Sequence, residues 1–187
     1  MLKNLIKKII YSYSYYYFSN GAKIQKPVIL LKNKKDITLG KSVFIRKNAR
    51  IETVTKWKNI TYNPQIIFED KVNIEQNFHL ICANSVIIGE GTSISSNVMI
   101  TDIDHDYTDI TKSVLEQTLL VKKTVVGKYC LLGSGVKIMA GVRIGNHCVI
   151  GANSVVTHDI PDYCVAVGIP AKILKKYNFE TKKWERT

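Results

Sequence analysis

From Val126 the chain reads in sixes: "VGKYCL", "LGSGVK", "IMAGVR", "IGNHCV", "IGANSV", "VTHDIP". Each block opens on an aliphatic residue, and Gly follows it in four of these six. The fifth place holds a small or β-branched residue at Cys130, Val136, Val142, Cys148 and Ser154. The same phase runs earlier, in "LGKSVF" and "IRKNAR" from Leu39, "FEDKVN" and "IEQNFH" from Phe68, and "IGEGTS" and "ISSNVM" from Ile88. A period of six matches neither the 3.6 of a helix nor the 2 of a lone strand. It fits a coil with three flat faces and one short strand on each. The aliphatic residue then points inward, and Gly and Asn take corners that need positive φ. Turns stacked at about 4.8 Å put residues eighteen apart above one another. Cys130 and Cys148 are such a pair. They read as two small apolar residues stacked in the core, not as a redox switch.

At 187 residues, 45% hydrophobic and 22% charged, the chain suits one globular domain with a real core. Its 27 Lys+Arg against 15 Asp+Glu give +12, which points to an anionic partner without naming it. None of Cys82, Cys130, Cys148 and Cys164 forms a CxxC pair, which argues against a zinc ribbon or a thioredoxin motif. The first residues, "MLKNLIKKII", place Leu2, Leu5, Ile6, Ile9 and Ile10 on one helical face and lysines opposite. Such a segment suits capping of the solenoid's open end, or peripheral contact with an anionic membrane through residues 1–20. It lacks the cleavage site of a signal peptide, and no stretch approaches the roughly 20 apolar residues of a span. The expected location is cytoplasmic, with the inner membrane face as an option.

Three places break the period. Extra residues enter between Thr53 and Ile67, with Trp57 among them; two more enter near Asn84; the longest excursion covers residues 101–124. A solenoid keeps its core by pushing insertions outward, often on the binding side. The last excursion reads "TDIDHDYTDIT" and sets His105 among Asp102, Asp104, Asp106 and Asp109. An imidazole titrating near neutrality suits general-base work, and a neighbouring carboxylate can orient it.

The blocks from Leu39 to Lys175 resemble the hexapeptide-repeat acyltransferases, and the excursion after "NVMI" resembles that of their galactoside and maltose acetyltransferase branch. The resemblance implies a left-handed parallel β-helix over residues 39–175. An amphipathic segment and first coil or cap would occupy 1–38 and a tail 176–187, with short helical segments at the termini, the C-terminal one a short helix or a strand running back along the coil. It implies a homotrimer with sites between subunits, and acetyl-CoA as co-substrate with no metal. By the same resemblance His105 is the base, and Asp102, Asp104 or Asp106 is a candidate to orient it. His79, Asp106 and Tyr107 would contact the acceptor, although the residue at the place of His79 is typically Asn in that branch. The close "VGIPAKILK" resembles the family's CoA-binding end, which maps Ser134, Ala152, Thr157 and Lys172 onto the cofactor. Small side chains allow pantetheine to approach, and a lysine meets the phosphate.

The expected activity is transfer of an acetyl group from acetyl-CoA to a sugar hydroxyl, of a bacterial surface polysaccharide or its precursor. N-acetylation of a nucleotide-linked amino sugar is the alternative on the same fold, and a non-catalytic scaffold the alternative of another class. A zinc lyase on this solenoid needs converging histidines, yet after His105 the next is His147. A nucleic-acid role would rest on charge alone and is not expected.

Overall fold

The computed structural model describes residues 15–187. Three parallel sheets of short strands wrap one apolar core, and no α-helix forms among the described residues. The chain is a left-handed parallel β-helix. One sheet stacks Lys23–Gln25, Phe44–Ile45, Asn73–Ile74, Ser93–Ile94, Leu131–Leu132 and Val149–Ile150. The second stacks Leu30–Leu31, Arg50–Thr53, His79–Cys82, Met99–Thr101, Lys137–Ile138 and Val155–Val156. The third stacks Ile37–Leu39, Gln65–Phe68, Ser85–Ile88, Thr124–Val126 and Arg143–Ile144.

The six-residue rhythm is the shape of this core. The opening residues Ile45, Ile51, Phe68, Ile74, Leu80, Ile88, Ile94, Ile100 and Leu132 are all buried. So are the fifth-place residues Val43, Ala49, Val72, Phe78, Val98, Cys130, Val136 and Cys148. Removing each large aliphatic side chain from water contributes roughly 1.5–3 kcal/mol. All four cysteines are buried free thiols.

The fourth place of most blocks turns the corner in the left-handed region. Asn48, Asn77 and Asn97 adopt φ of 62°, 61° and 61°. Asn tolerates this conformation better than most residues. Here its amide also joins a ladder, Asn48 Nδ2 donating to Asn77 Oδ1 and Asn77 Nδ2 to Asn97 Oδ1, both at 3.1 Å. At Gly91 (φ 67°) a Cβ would lie 2.6 Å from the Tyr129 ring of the next coil, so that ring would have to shift to admit a side chain.

The C-terminal end departs from the expectation of a helical segment. Cys164–Gly168 continues the first sheet in parallel, and Ala171–Asn178 and Lys183–Arg186 extend it antiparallel. Along Ala171–Asn178 the residues alternate between half-buried and exposed, with Ala171 and Ile173 turned to the core cluster. That is a period of two, which a helix cannot satisfy. The predicted N-terminal helical face, Leu2 to Ile10, lies outside the described residues. Tyr15–Tyr17 pairs antiparallel with Lys23–Gln25, and Tyr15 packs on Phe44 at 6.0 Å between ring centroids.

Candidate active site

The insertions can be read from the stacking. Ile138 pairs with Val156, eighteen residues on, but Ile51 pairs with Leu80, Leu80 with Ile100 and Ile100 with Ile138. The core residue is present each time, and the extra chain leaves the coil beyond the same sheet. The first insertion forms a small hairpin, Lys56–Trp57 against Ile60–Thr61. The last also leaves as a hairpin, Ile103–His105 against Leu119–Val121, with His105 opposite Leu119.

Asp102 anchors the base of this second hairpin. It follows the inward Ile100 by two, so its side chain also points inward, and it is fully buried. Its carboxylate accepts the backbone N–H groups of Ala83 (2.8 Å), Asn84 (2.7 Å) and Ser85 (2.7 Å), and the Cys82 thiol at 3.2 Å. Burial, reinforced by this carboxylate, pushes the Cys82 thiol well above its ordinary pKa. Both oxygens of Asp102 are spent on the short insertion beside Asn84. The expectation that it orients the imidazole is corrected: it fastens one insertion to another.

His105 lies half-buried on the hairpin, its ring edge-on to Trp57 with 5.6 Å between centroids and 68° between planes. Its Nδ1 is buried with no hydrogen-bond partner. Trp57 in turn donates its indole N–H to the carbonyl of Gln117, at 3.0 Å, across 60 residues of sequence. Gln117 braces the far side of the excursion, accepting the Asp109 N–H at 2.9 Å and donating to the Asp109 carbonyl at 3.1 Å. Beside His105 opens a cavity of about 280 Å³, lined by Glu52, Val54, Trp57, Ile81 and Thr101, and by Ile103, Asp104 and Leu119 of the hairpin.

Asp104 is exposed at this cavity, and its Oδ1 accepts the backbone N–H of His105 at 2.8 Å. Asp106 caps its own turn, accepting both the N–H (3.0 Å) and the hydroxyl (2.8 Å) of Thr108, which hold its carboxyl below the ordinary range. Tyr107 is exposed on the excursion, apart from the cavity wall. His79 does not line the cavity either. It stands two residues before Ile81 on the same outward face, its strand position flanked by Arg50 and Met99. Burial, and then the Arg50 charge, lower its pKa below 6.5; its Nε2 is buried without a partner. For Glu52, burial would raise the pKa, but bonds from Arg50 (2.7 Å) and Lys32 (3.2 Å) outweigh it and hold the carboxyl below the ordinary range.

The residues mapped to the cofactor lie at the C-terminal coils. Ser134 and Ala152 stack at one corner, both exposed, with the Asn153 N–H donating to the Ser134 carbonyl at 2.8 Å. The corner is tight: a Cβ on Gly133 would come within 2.6 Å of the Ala152 nitrogen. Lys172 is exposed opposite Val167, whose side chain covers Gly151 beside Ala152. Thr157 lies at the following corner, its hydroxyl 2.9 Å from His158 Nδ1. Ser134, Ala152 and Lys172 thus share a neighbourhood, and Thr157 stands one corner on. Trp57 and Glu52 escaped prediction as site residues. The signal available was an aromatic residue inside an insertion.

Residues 123–158 match the family described as bacterial transferase hexapeptide (six repeats). Over 128 residues the chain is 42% identical to the putative lipopolysaccharide biosynthesis O-acetyl transferase WbbJ of Escherichia coli, covering 65% of each chain. It is 36% identical over 103 residues to the galactoside O-acetyltransferase of Lactococcus lactis, 54% of this chain and 48% of that one. The chain therefore spans less than two thirds of these relatives' length. Among solved structures, the N-acyltransferase AntD from Bacillus cereus superposes with TM-score 0.73 over 94% of this chain and 90% of its own, at 16% identity. That likeness is one of fold. Residues 123–158 carry the repeats of this transferase family.

Proposed function

We propose that the chain is an acetyl-CoA-dependent O-acetyltransferase acting on a sugar hydroxyl of a bacterial surface polysaccharide or its precursor. The observation that carries this reading is His105, held by Trp57 at a cavity beside the repeats, with one ring nitrogen buried and unbonded. The relatives named above, an O-acetyl transferase of lipopolysaccharide biosynthesis and a galactoside O-acetyltransferase, favour a sugar hydroxyl as acceptor.

In this reading His105 takes the proton from the acceptor hydroxyl as its oxygen attacks the thioester carbonyl. The C–S bond then breaks, and CoA leaves as the thiol after receiving a proton. Two substrates held together supply much of the rate, without an acyl-enzyme. Asp104 is the acid retained at the cavity. It fixes the backbone of His105 through the 2.8 Å bond. Ser134 and Ala152 are small enough to admit the pantetheine arm, and Lys172 offers a charge to the phosphates; Thr157 would flank the same arm. His79, Asp106 and Tyr107 border the approach of a long acceptor. A homotrimer suits the excursion, whose Ile110 is 95% exposed and gains by a neighbour's cover. We place the protein in the cytoplasm. Contact of residues 1–20 with the membrane would bring it to lipid-carried acceptors.

The test is CoA release from acetyl-CoA with two acceptor sets, hydroxyl-only glycans and nucleotide-linked amino sugars. Turnover on the first set is expected, and His105→Ala should lower it by 10²–10⁴. Turnover confined to amino sugars would replace O-transfer by N-transfer. Full activity in the variant would remove His105 from the mechanism.

A further inference from the structure

A net charge of +12 invites an acidic acceptor, but the cavity opposes one. Five of its wall residues, Val54, Trp57, Ile81, Ile103 and Leu119, are apolar. Besides His105, its titratable side chains are the carboxylates of Glu52 and Asp104. Arg50 and Lys32 direct their charge to Glu52, and neither lines the cavity. Resting on the O-acetyltransferase reading above, we propose that this site takes uncharged sugars and rejects acidic ones, with Trp57 as both the sugar-facing wall and the positioning residue for His105.

The chemistry follows from the placement. An aromatic wall meets the C–H face of a sugar ring and leaves the hydroxyls free for the polar side. A sugar carboxylate entering the same space would lose water against apolar walls and face the like charge of Asp104, with Glu52 beside it already engaged by Arg50 and Lys32. Trp57 also makes two contacts that differ in kind. Its ring holds the imidazole edge-on at 5.6 Å, and its N–H reaches the Gln117 carbonyl at 3.0 Å. The first insertion thereby fixes the last, and the base stands against a rigid wall. Arg50 and Lys32, the cations nearest this wall, are engaged by Glu52 and do not line the cavity.

The experiment compares methyl hexosides with the matching methyl hexuronides as acceptors, reading kcat and KM from CoA release. Neutral sugars should exceed uronides by about a hundredfold in kcat/KM. Glu52→Gln should narrow that ratio by about tenfold. Trp57→Ala should lower kcat about a hundredfold with little change in thermal unfolding, since a small misplacement of the base is enough. Trp57→Phe keeps a ring beside His105 and should restore most of kcat, which a merely structural role would not require. Uronides used as well as neutral sugars, or wild-type kcat in Trp57→Ala, would overturn the proposal. If no sugar is acetylated, saturation-transfer NMR with the same glycosides separates the two ideas. Binding of neutral but not acidic glycosides keeps the pocket assignment and sinks the transfer reading. Binding of neither, or of both alike, sinks the pocket assignment too.

Discussion

Between Val126 and Val156 the inward residues pair at a constant step, Val126 with Ile144, Leu132 with Ile150, Ile138 with Val156. Between Ile45 and Leu132 the same column runs Ile45, Ile74, Ile94, Leu132, and no two steps agree. The interior is indifferent to this, since every one of these residues is buried. What changes is the outside. The regular coils present bare corners, such as Ser134 over Ala152, while the interrupted coils carry two hairpins and the cavity with His105. The repeat supplies a rigid frame, and departures from the repeat supply the chemistry. Damage in the two regions should therefore separate stability from activity.

The largest effect on stability is expected at the regular end. Leu132→Ala empties a fully buried position and should destabilise by about 2–5 kcal/mol. Urea unfolding measures it. Activity per folded molecule should stay near wild type, because Leu132 lies in the core with Ile94 and Ile150 as its ladder partners and not on either hairpin. A large loss of kcat in the still-folded protein would break the division between frame and site.

Asp102→Asn probes the join between the two regions. The amide keeps one acceptor oxygen but turns an NH₂ group toward donors that now lack a partner, among the N–H groups of Ala83, Asn84 and Ser85. The expected cost is about 1–3 kcal/mol. Unlike Leu132→Ala, it should also lower kcat, because the hairpin bearing His105 starts at this residue. Equal activity with lower stability would show that the anchor serves the frame alone.

The frame was legible in the sequence because one rule repeats: an aliphatic residue every sixth place and a corner residue three later. The excursion was legible as an interruption, and His105 as its single histidine. The assignment of Asp102 failed for a local reason that the same rule contains. Thr53, Cys82 and Asp102 each follow an inward residue, Ile51, Leu80 and Ile100, by two, and all three are buried. Strand parity decides the direction of a side chain before its charge does. The C-terminal tail stayed open between helix and strand because "AKILKKYNF" mixes apolar and basic residues at spacings that suit either structure. The pairing of its strands comes from the open edge of the first sheet, a tertiary fact. The clasp of Trp57 on His105 and Gln117 joins two insertions far apart in sequence, and no local pattern encodes it.

The smallest expected effect is that of pH at His79, and it tests whether the interrupted face carries its own titration. Burial and then Arg50 disfavour the charged ring, so the folded pKa lies below the ordinary 6.5. Between the two values the unfolded chain binds a proton that the folded chain refuses. Stability from this group is present in full above 6.5, and it is lost as pH falls through the lower folded value. The half-buried ring is partly screened by water, which keeps the loss small. His79→Gln cannot take up the proton, so its urea midpoint should fall less than that of wild type between pH 7.5 and pH 5. Carboxylates elsewhere act equally in both proteins and cancel in the comparison. Parallel curves would mean that Arg50 and the sheet leave the imidazole free to charge, and that the outward face is softer than its hydrogen bonds imply.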